Sequence, residues 1–511
     1  MTSNTENNKR IVKNTSLLYI RMLLMMVVSL FTSRIILQAL GIIDFGIYNV
    51  VGGIVAMLGF INSTLNTAIQ RYLNFEMGNN NIENMKKVFS MSLISIYIIA
   101  ILALIISETV GLWFVSTKLV IPADRYDAAL IVYHFSVLTF VTNILMVPYN
   151  ASIIAHEKMS IYAYISIFEV ILRLLLTYLL IYINNDKLIL YSILMFSVSL
   201  LIAIIYKYVC KKQFEECRFK YIWDLSLLKK LFSFSGWMLF GTIANISCNQ
   251  GVNILINLFF GPSLNAARGV SMQVYNAINQ FSVNFLTAIR PQIIKSYAQS
   301  QFNYMFKLVF ISSKCSFFLL LILVTPLILN ANLILNLWLN EVPQQATLFT
   351  QLILIDLLII SLNSPITYVS HAIGKIKSFQ ISISVIYLLT PLLTWIAYKS
   401  GAPAVYTFYI LILCDLIGVC LRVVLLKRIL NSFPIKKFFF DVLAPTSLIC
   451  CLTFGFCILL NQHIILSNIF TNFIFHCTIN FILTLSLIYI LGLSKEEKIT
   501  ILQYISIKLK K

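Results

Sequence analysis

Two arginines interrupt long apolar stretches of this chain, and they are the residues whose chemistry is most distinctive. Arg34 lies inside the apolar segment 14–40, with Gln38 one helical turn further along. Arg268 lies in the segment 263–297. A charged side chain at membrane depth is costly, so each arginine is expected to face a wet cavity or a partner. A planar guanidinium can make two charge-assisted hydrogen bonds at once, which suits a phosphate or pyrophosphate group.

Neutral polar residues recur at helical spacing around Arg268. Asparagines repeat every four residues along the segment 228–259, and the segment 263–297 carries hydroxyl, phenol and amide groups on one face. The residues of these stripes predicted to contact a substrate are Asn249, Asn253, Ser271, Tyr275 and Asn279. Such groups suit hydrogen bonding to sugar hydroxyls, and the alternative is that they only hold neighbouring helices together. For the amides both interpretations stay open, whereas the cost of burying a charge favours a functional role for the two arginines.

Two carboxylates, Asp356 and Asp415, lie within apolar segments and have no sequence-local partner of opposite charge. Such residues are candidates for coupling transport to protons or sodium ions, and the alternative is an ion pair with Lys314 or Arg21. The five histidines are scattered, and neither they nor the ten cysteines have the spacing of metal ligands. No metal site is therefore expected, and no cofactor beyond a coupling ion.

The elements that must position these residues are membrane spans. The chain has 511 residues, of which 59% are hydrophobic and only 11% are charged. No soluble domain has this composition, so an all-α polytopic membrane protein is expected. The fourteen predicted spans have the approximate limits 14–40, 45–76, 86–115, 127–154, 160–183, 188–210, 228–259, 263–297, 304–330, 346–373, 378–399, 403–428, 440–461 and 467–492.

Lysine and arginine are distributed unevenly between the loops. With the N-terminus inside, 26 of the 38 basic residues fall in inner segments and 4 fall in outer loops. This asymmetry predicts that both termini are cytoplasmic. The net charge of +19 is then a topology signal that also attracts anionic membrane lipids, and it does not indicate a nucleic-acid partner.

An internal repeat divides the chain. Gly41, at the first outer turn, recurs as Gly261, and Lys87 recurs as Lys307, each 220 residues later. Each copy contains six spans, so both copies have the same orientation in the membrane. The predicted fold is therefore two parallel six-helix bundles around a central cavity, plus two extra C-terminal helices. The predicted domains are an N-terminal lobe, a cytoplasmic linker, a C-terminal lobe, and two additional helices with a basic cytoplasmic tail, at 1–210, 211–230, 231–430 and 431–511.

The segment from Leu40 to Tyr48 reads Leu-Gly-Ile-Ile-Asp-Phe-Gly-Ile-Tyr. It resembles the L-G-x-x-x-[FY]-G-x-[YF] turn of the bacterial polysaccharide (O-antigen and capsule-type) flippase family. That family belongs to the superfamily of multidrug, oligosaccharidyl-lipid and polysaccharide exporters. The resemblance covers essentially the whole chain and implies a transporter of the bacterial cytoplasmic membrane, not an enzyme.

The resemblance also implies a substrate and partners. The expected cargo is an undecaprenyl-pyrophosphate-linked oligosaccharide, moved to the outer leaflet by alternating access for surface polysaccharide or lipopolysaccharide biosynthesis. The polysaccharide polymerase and the chain-length machinery are further expected partners. Cationic residues that line the lumen in the family correspond in kind to Arg34 and Arg268.

Three alternatives stay open. A drug or cation exporter on the same fold predicts an acidic, aromatic cavity, whereas the charges inside these spans are on balance basic. A lipid II flippase would bind the same pyrophosphate. A membrane glycosyltransferase or polymerase needs substantial outer loops, which are absent from the predicted topology. Asp44 is the one feature that suits such an enzyme, and that residue is expected instead to cap the second span.

Overall fold

The chain folds almost entirely into helices. A computed structural model describes residues 2–119, 121–183, 186–339, 341–463, 469–494 and 497–498. None of these residues forms a strand, and the expectation of an all-α protein is confirmed. The part of the predicted basic C-terminal tail beyond residue 498 lies outside the described residues.

The helices follow one another with short connections. The first nine are α1 (Thr2–Ala56), α2 (Phe60–Gly78), α3 (Ile82–Ile106), α4 (Leu112–Lys118), α5 (Tyr126–Ala155), α6 (Met159–Leu179), α7 (Lys187–Gln213), α8 (Leu225–Phe260) and α9 (Pro262–Ala298). The second nine are α10 (Phe302–Leu329), α11 (Ala331–Trp338), α12 (Ala346–Ser361), α13 (Asn363–Ile373), α14 (Lys377–Lys399), α15 (Tyr406–Ile429), α16 (Ile435–Phe438), α17 (Ala444–His463) and α18 (Ile469–Leu487).

Twelve helical stretches among the described residues are long and apolar enough to cross a membrane, so this is a multi-pass membrane protein. Two of the fourteen predicted spans, 45–76 and 263–297, are helical but do not reach that apolar composition. Each is the second span of its sequence copy, and each carries polar residues at helical spacing, such as Asn66 and Gln70 in 45–76 and Tyr275 and Asn279 in 263–297. A helix of that composition belongs against protein or water and not against lipid.

The two repeat-related glycines form the predicted turns. Gly41 has φ 77° and ψ 173°, and it kinks α1, which is helical on both sides of it. Gly261 has φ 82° and separates α8 from α9. Glycine adopts a positive φ far more readily than other residues, because it has no Cβ. The predicted connection 41–44 is thus reduced to a kink at its first residue, and the helix resumes at once.

Backbone contacts divide the chain into two compact units. The first contains residues 1–242 and 287–301, and the second contains residues 243–286 and the chain from 302 onward. The division falls within α8 and α9. The domain limits predicted from the repeat stay a prediction.

The first unit is organised around one central helix and the second around two. In the first unit, α5 packs against α1, α2, α3 and α7. In the second unit, α10 packs against α12, α13, α17 and α18, and α15 packs against α12 and α14. The polar residues of interest lie on α1 in the first unit and on α8, α9, α12 and α15 in the second.

Candidate functional site

Arg268 and two asparagines of the amide stripe meet in the second unit. The Arg268 guanidinium donates one hydrogen bond to Oδ1 of Asn253 and another, over 3.3 Å, to Oδ1 of Asn249. The turn at Gly261 sends the chain back on itself, so the polar stripes of α8 and α9 face each other. The structure therefore brings together three of the residues predicted from the sequence.

The hydrogen-bond partners of the Arg268 guanidinium are neutral amide groups. Only 2% of this residue is exposed, and its Nε has no hydrogen-bond partner. Among the described residues, no carboxylate lies within ion-pair distance of its guanidinium. A buried cation whose partners are amide oxygens lacks a balancing negative charge. An anionic ligand would supply that charge.

The other residues of the α9 stripe have different surroundings. Ser271 is buried, and its Oγ accepts a hydrogen bond from Thr350 of α12 over 3.1 Å. This contact fits the helix-packing alternative for a polar stripe. Tyr275 packs against an apolar cluster of α12 and α15 side chains, and Asn279 is half-buried. Substrate contact by these three residues stays a prediction.

The two predicted coupling carboxylates meet although they lie on different helices. Asp356 on α12 and Asp415 on α15 are within hydrogen-bonding reach of each other. They are 5% and 7% exposed. Ionised carboxylates only accept hydrogen bonds, so two carboxyl groups bond to each other when one of them carries a proton. Two neighbouring carboxyl groups can share one proton, and coupling by Asp356 and Asp415 stays a prediction.

The alternative partners for these carboxylates are engaged elsewhere. Lys314 Nζ lies 2.7 Å from the carboxylate of Glu497. Arg21 lies over the ring of Tyr162, 4.3 Å from its centroid. Among the described residues, Lys314 is thus paired with Glu497 and not with Asp356 or Asp415.

A third charged residue accompanies the pair. Arg422 is buried near Asp415, and it donates a hydrogen bond to the hydroxyl of Tyr387 on α14 over 3.3 Å. The sequence alone does not place Arg422 at this site. Its position seven residues after Asp415 is the signal that could have found it, because two helical turns return a side chain to the same face.

Arg34 and Gln38 belong to the first unit. They lie one turn apart on α1, and both are exposed. An exposed side chain remains free to contact a substrate or water. Their predicted role as substrate contacts stays a prediction.

Comparison with known proteins identifies the family. The family model for "Polysaccharide biosynthesis protein" matches residues 11–297, which is more than half of the chain. The chain belongs to this family. The likeness of the Leu40–Tyr48 turn to polysaccharide flippases is confirmed at the level of the family. No curated protein matches the sequence significantly.

Solved structures with low sequence identity have the same fold as this polysaccharide biosynthesis protein. A MATE protein in complex with MaD3S has a TM-score of 0.72 at 12% identity, covering 83% of this chain and 97% of that chain. A MOP superfamily transporter from Pyrococcus furiosus, described as having a binding pocket of reverse polarity, has a TM-score of 0.68 at 12% identity, covering 83% and 96%. A multidrug resistance MATE family transporter in an outward-facing conformation has a TM-score of 0.67 at 13% identity, covering 82% and 95%. The fold is therefore MATE-like.

A buried charge cluster that the sequence did not reveal centres on Glu157 in the first unit. Glu157 has φ 59° and lies between α5 and α6. Its carboxylate pairs with Arg10 over 2.8 Å and with Lys295 over 2.7 Å, and it accepts hydrogen bonds from Gln292 over 2.8 Å. These partners come from α1 and α9, so only the folded chain assembles the cluster.

Asp44 does not cap the second span as expected. Its carboxylate accepts hydrogen bonds from Nε of Arg125, over 2.8 Å, and from a second nitrogen of the same guanidinium. Arg125 also donates to Asp186 over 2.7 Å. Partial burial opposes ionisation of Asp186, but the hydrogen bonds from Arg125 and from the Ile189 backbone N–H hold its pKa below the ordinary value. Asp44 is thus part of an ion-pair network with Arg125 and Asp186.

Proposed function

We propose that this polysaccharide biosynthesis protein is a flippase for undecaprenyl-pyrophosphate-linked oligosaccharide. It carries this lipid from the cytoplasmic to the outer leaflet of the bacterial cytoplasmic membrane by alternating access, with both termini in the cytoplasm. The exported units serve a surface polysaccharide such as O-antigen or capsule. The protein acts as a transporter and not as an enzyme.

The observation that carries this proposal is the environment of Arg268. A buried guanidinium with amide partners and an unused Nε–H has the charge and the donors to receive a phosphate oxygen. The amides of Asn249 and Asn253 flank it, and they can exchange their bonds to the guanidinium for bonds to sugar hydroxyls. The exposed Arg34 supplies a second cation on α1.

A cation or drug exporter is the second candidate, because the buried pair of Asp356 and Asp415 supplies acidic groups in the same unit as Arg268. The MATE-like fold is compatible with it. The two candidates differ in their cargo, which must be anionic for the arginine site and cationic for a carboxylate site.

Loss of the gene is the direct test of the proposed cargo. We expect a deletion strain to accumulate undecaprenyl-pyrophosphate-linked oligosaccharide and to lose the corresponding surface glycan, because assembled units can no longer reach the outer leaflet. Mass spectrometry of extracted lipids measures the accumulation, and a plasmid copy of the gene is the control that should reverse it. Unchanged lipid-linked sugars together with increased sensitivity to cationic drugs would support the exporter instead.

We further propose that the Asp356–Asp415 pair couples flipping to a proton gradient. One shared proton would bridge α12 and α15, and its loss would leave two like charges that repel each other. In sealed vesicles, Asp356→Asn and Asp415→Asn should each abolish the acceleration of flipping by an imposed pH gradient. Asp441→Asn, which removes an exposed carboxylate of the same unit, is the matched control and should behave as wild type. Full gradient dependence in both pair variants would rule out this role, and a response to a sodium gradient alone would assign the pair to sodium.

A further inference from the structure

The segment 218–225, between α7 and α8, is a strip with an aromatic face. Residues 218–224 are non-helical, and α8 begins at Leu225. The odd-numbered positions all carry large apolar side chains that are half or more exposed, namely Phe219 (50%), Tyr221 (74%), Trp223 (54%) and Leu225 (51%). These four residues are called the aromatic face.

Contacts of the residues just before the aromatic face, and of one residue within the segment, fix its position on the first unit. Phe214 is buried and stacks on the His156 ring, with centroids 4.0 Å apart, and Glu216 contacts the same imidazole over 2.5 Å. The backbone N–H of Lys220 donates to Oγ of Ser90 on α3 over 3.3 Å. The segment is therefore docked on the first unit with its aromatic side chains directed away from it.

Basic groups surround the aromatic face. Arg218 and Lys220 alternate with its aromatic residues and are exposed. Further exposed lysines lie at the end of α7 and near the start of α8, namely Lys211, Lys212, Lys229 and Lys230. The nearby carboxylates are engaged, because Glu215 pairs with Lys86 over 3.3 Å and Asp224 accepts from the backbone N–H of Leu227 over 3.0 Å. The strip therefore combines exposed apolar rings with a surplus of positive charge.

We propose that residues 218–225 are an interfacial anchor that binds anionic lipid headgroups. A non-helical backbone leaves N–H and C=O groups that hydrocarbon cannot satisfy, so residues 218–224 cannot enter the bilayer core. Tryptophan and tyrosine favour the headgroup level, and clustered lysine and arginine attract anionic lipids there. An exposed apolar patch with a polar rim marks an interaction surface, and its positive charge selects the lipid over a neutral partner. This inference does not depend on the cargo of the transporter.

Tryptophan fluorescence of the reconstituted full-length protein tests the anchor. The protein is placed in mixed vesicles of phosphatidylglycerol and phosphatidylcholine in which only one of the two lipids carries bromine on its acyl chains. The fluorescence of Trp223 is obtained as the difference in fluorescence between wild type and Trp223→Phe. We expect about twofold stronger quenching of Trp223 when the bromine is on phosphatidylglycerol than when an equal amount is on phosphatidylcholine. The double variant Arg218→Gln, Lys220→Gln should remove that preference while Trp223 stays quenched by both.

Trp113 provides the matched control, because it is 55% exposed on a membrane-spanning stretch. Its difference signal, from Trp113→Phe, should be quenched equally by the two brominated lipids. Equal quenching of Trp223 by both lipids would overturn the preference for anionic headgroups. If aqueous iodide quenches the fluorescence of Trp223 and brominated lipid does not, the proposal of an interfacial anchor is overturned. Shielding of Trp223 from both quenchers would also overturn it, since a protein partner or a second copy would then cover the aromatic face.

Discussion

Replacing Arg268 by alanine is expected to abolish surface glycan export while the protein remains in the membrane at near-normal amounts. The substitution removes the only cation that contacts Asn249 and Asn253 among the described residues. A charge-assisted hydrogen bond contributes about 1.5–3 kcal/mol, and about 1.4 kcal/mol corresponds to a tenfold change in affinity. Loss of one such bond to a phosphate should therefore weaken binding of the pyrophosphate lipid by about 10- to 100-fold. Export of labelled glycan and binding to the purified protein measure the two effects.

The conservative variant separates charge from geometry at this site. Arg268→Lys keeps a positive charge but lacks the planar fork that now reaches two asparagines, so export should recover only in part. Gln273→Ala, at an exposed position on the same helix, is the control and should export as wild type. Normal export by Arg268→Ala would exclude this residue from substrate binding.

The second large effect is expected on stability, when Glu497 is replaced by glutamine. Lys314 is 7% exposed within the span of α10, and its ammonium group lies 2.7 Å from the Glu497 carboxylate. Removing one partner of a buried ion pair costs about 3–5 kcal/mol, because the remaining charge stays buried without compensation. Glu497→Gln should therefore lower the melting temperature of the detergent-solubilised protein markedly. Replacing both partners, in Lys314→Met with Glu497→Leu, should restore most of the loss.

An exposed ion pair of the same chain is the control for this stability effect. Lys86 and Glu215 lie 3.3 Å apart, but their side chains are 38% and 69% exposed. A surface pair contributes about 0–1 kcal/mol, so Glu215→Gln should change the melting temperature little. A melting temperature of Glu497→Gln equal to that of wild type would show that the buried pair does not stabilise the fold.

Contacts within one helical hairpin could be predicted from the sequence. Arg268 and Asn253 are 15 residues apart, and the turn between them is marked by Gly261. Helical periodicity on each side of such a turn is enough to place two polar stripes face to face. The approximate number of membrane-spanning helices could also be predicted, from the apolar segments, although the two most polar spans fall short of an ordinary membrane-spanning composition.

Contacts between distant helices could not be predicted in this way. Periodicity shows which face of a helix is polar, but it does not show which other helix that face meets. By sequence alone, Asp356 therefore has several possible partners, and nothing marks Glu157 as the centre of a charge cluster. Lys314 illustrates the same limit, because its partner Glu497 lies 183 residues further along the chain.

The separation of Lys314 and Glu497 also has a consequence for how the protein is made. A ribosome adds about 5–20 residues each second, so the 183 residues between the two partners take about 10–40 s to synthesise. During that interval α10 has already left the ribosome with a lysine whose counter-ion does not yet exist. Until residue 497 arrives, the nascent helix needs a hydrated environment for its lysine, such as the insertion machinery or the polar side of earlier helices. A ribosome that stalls before residue 497 therefore leaves a product carrying an uncompensated charge.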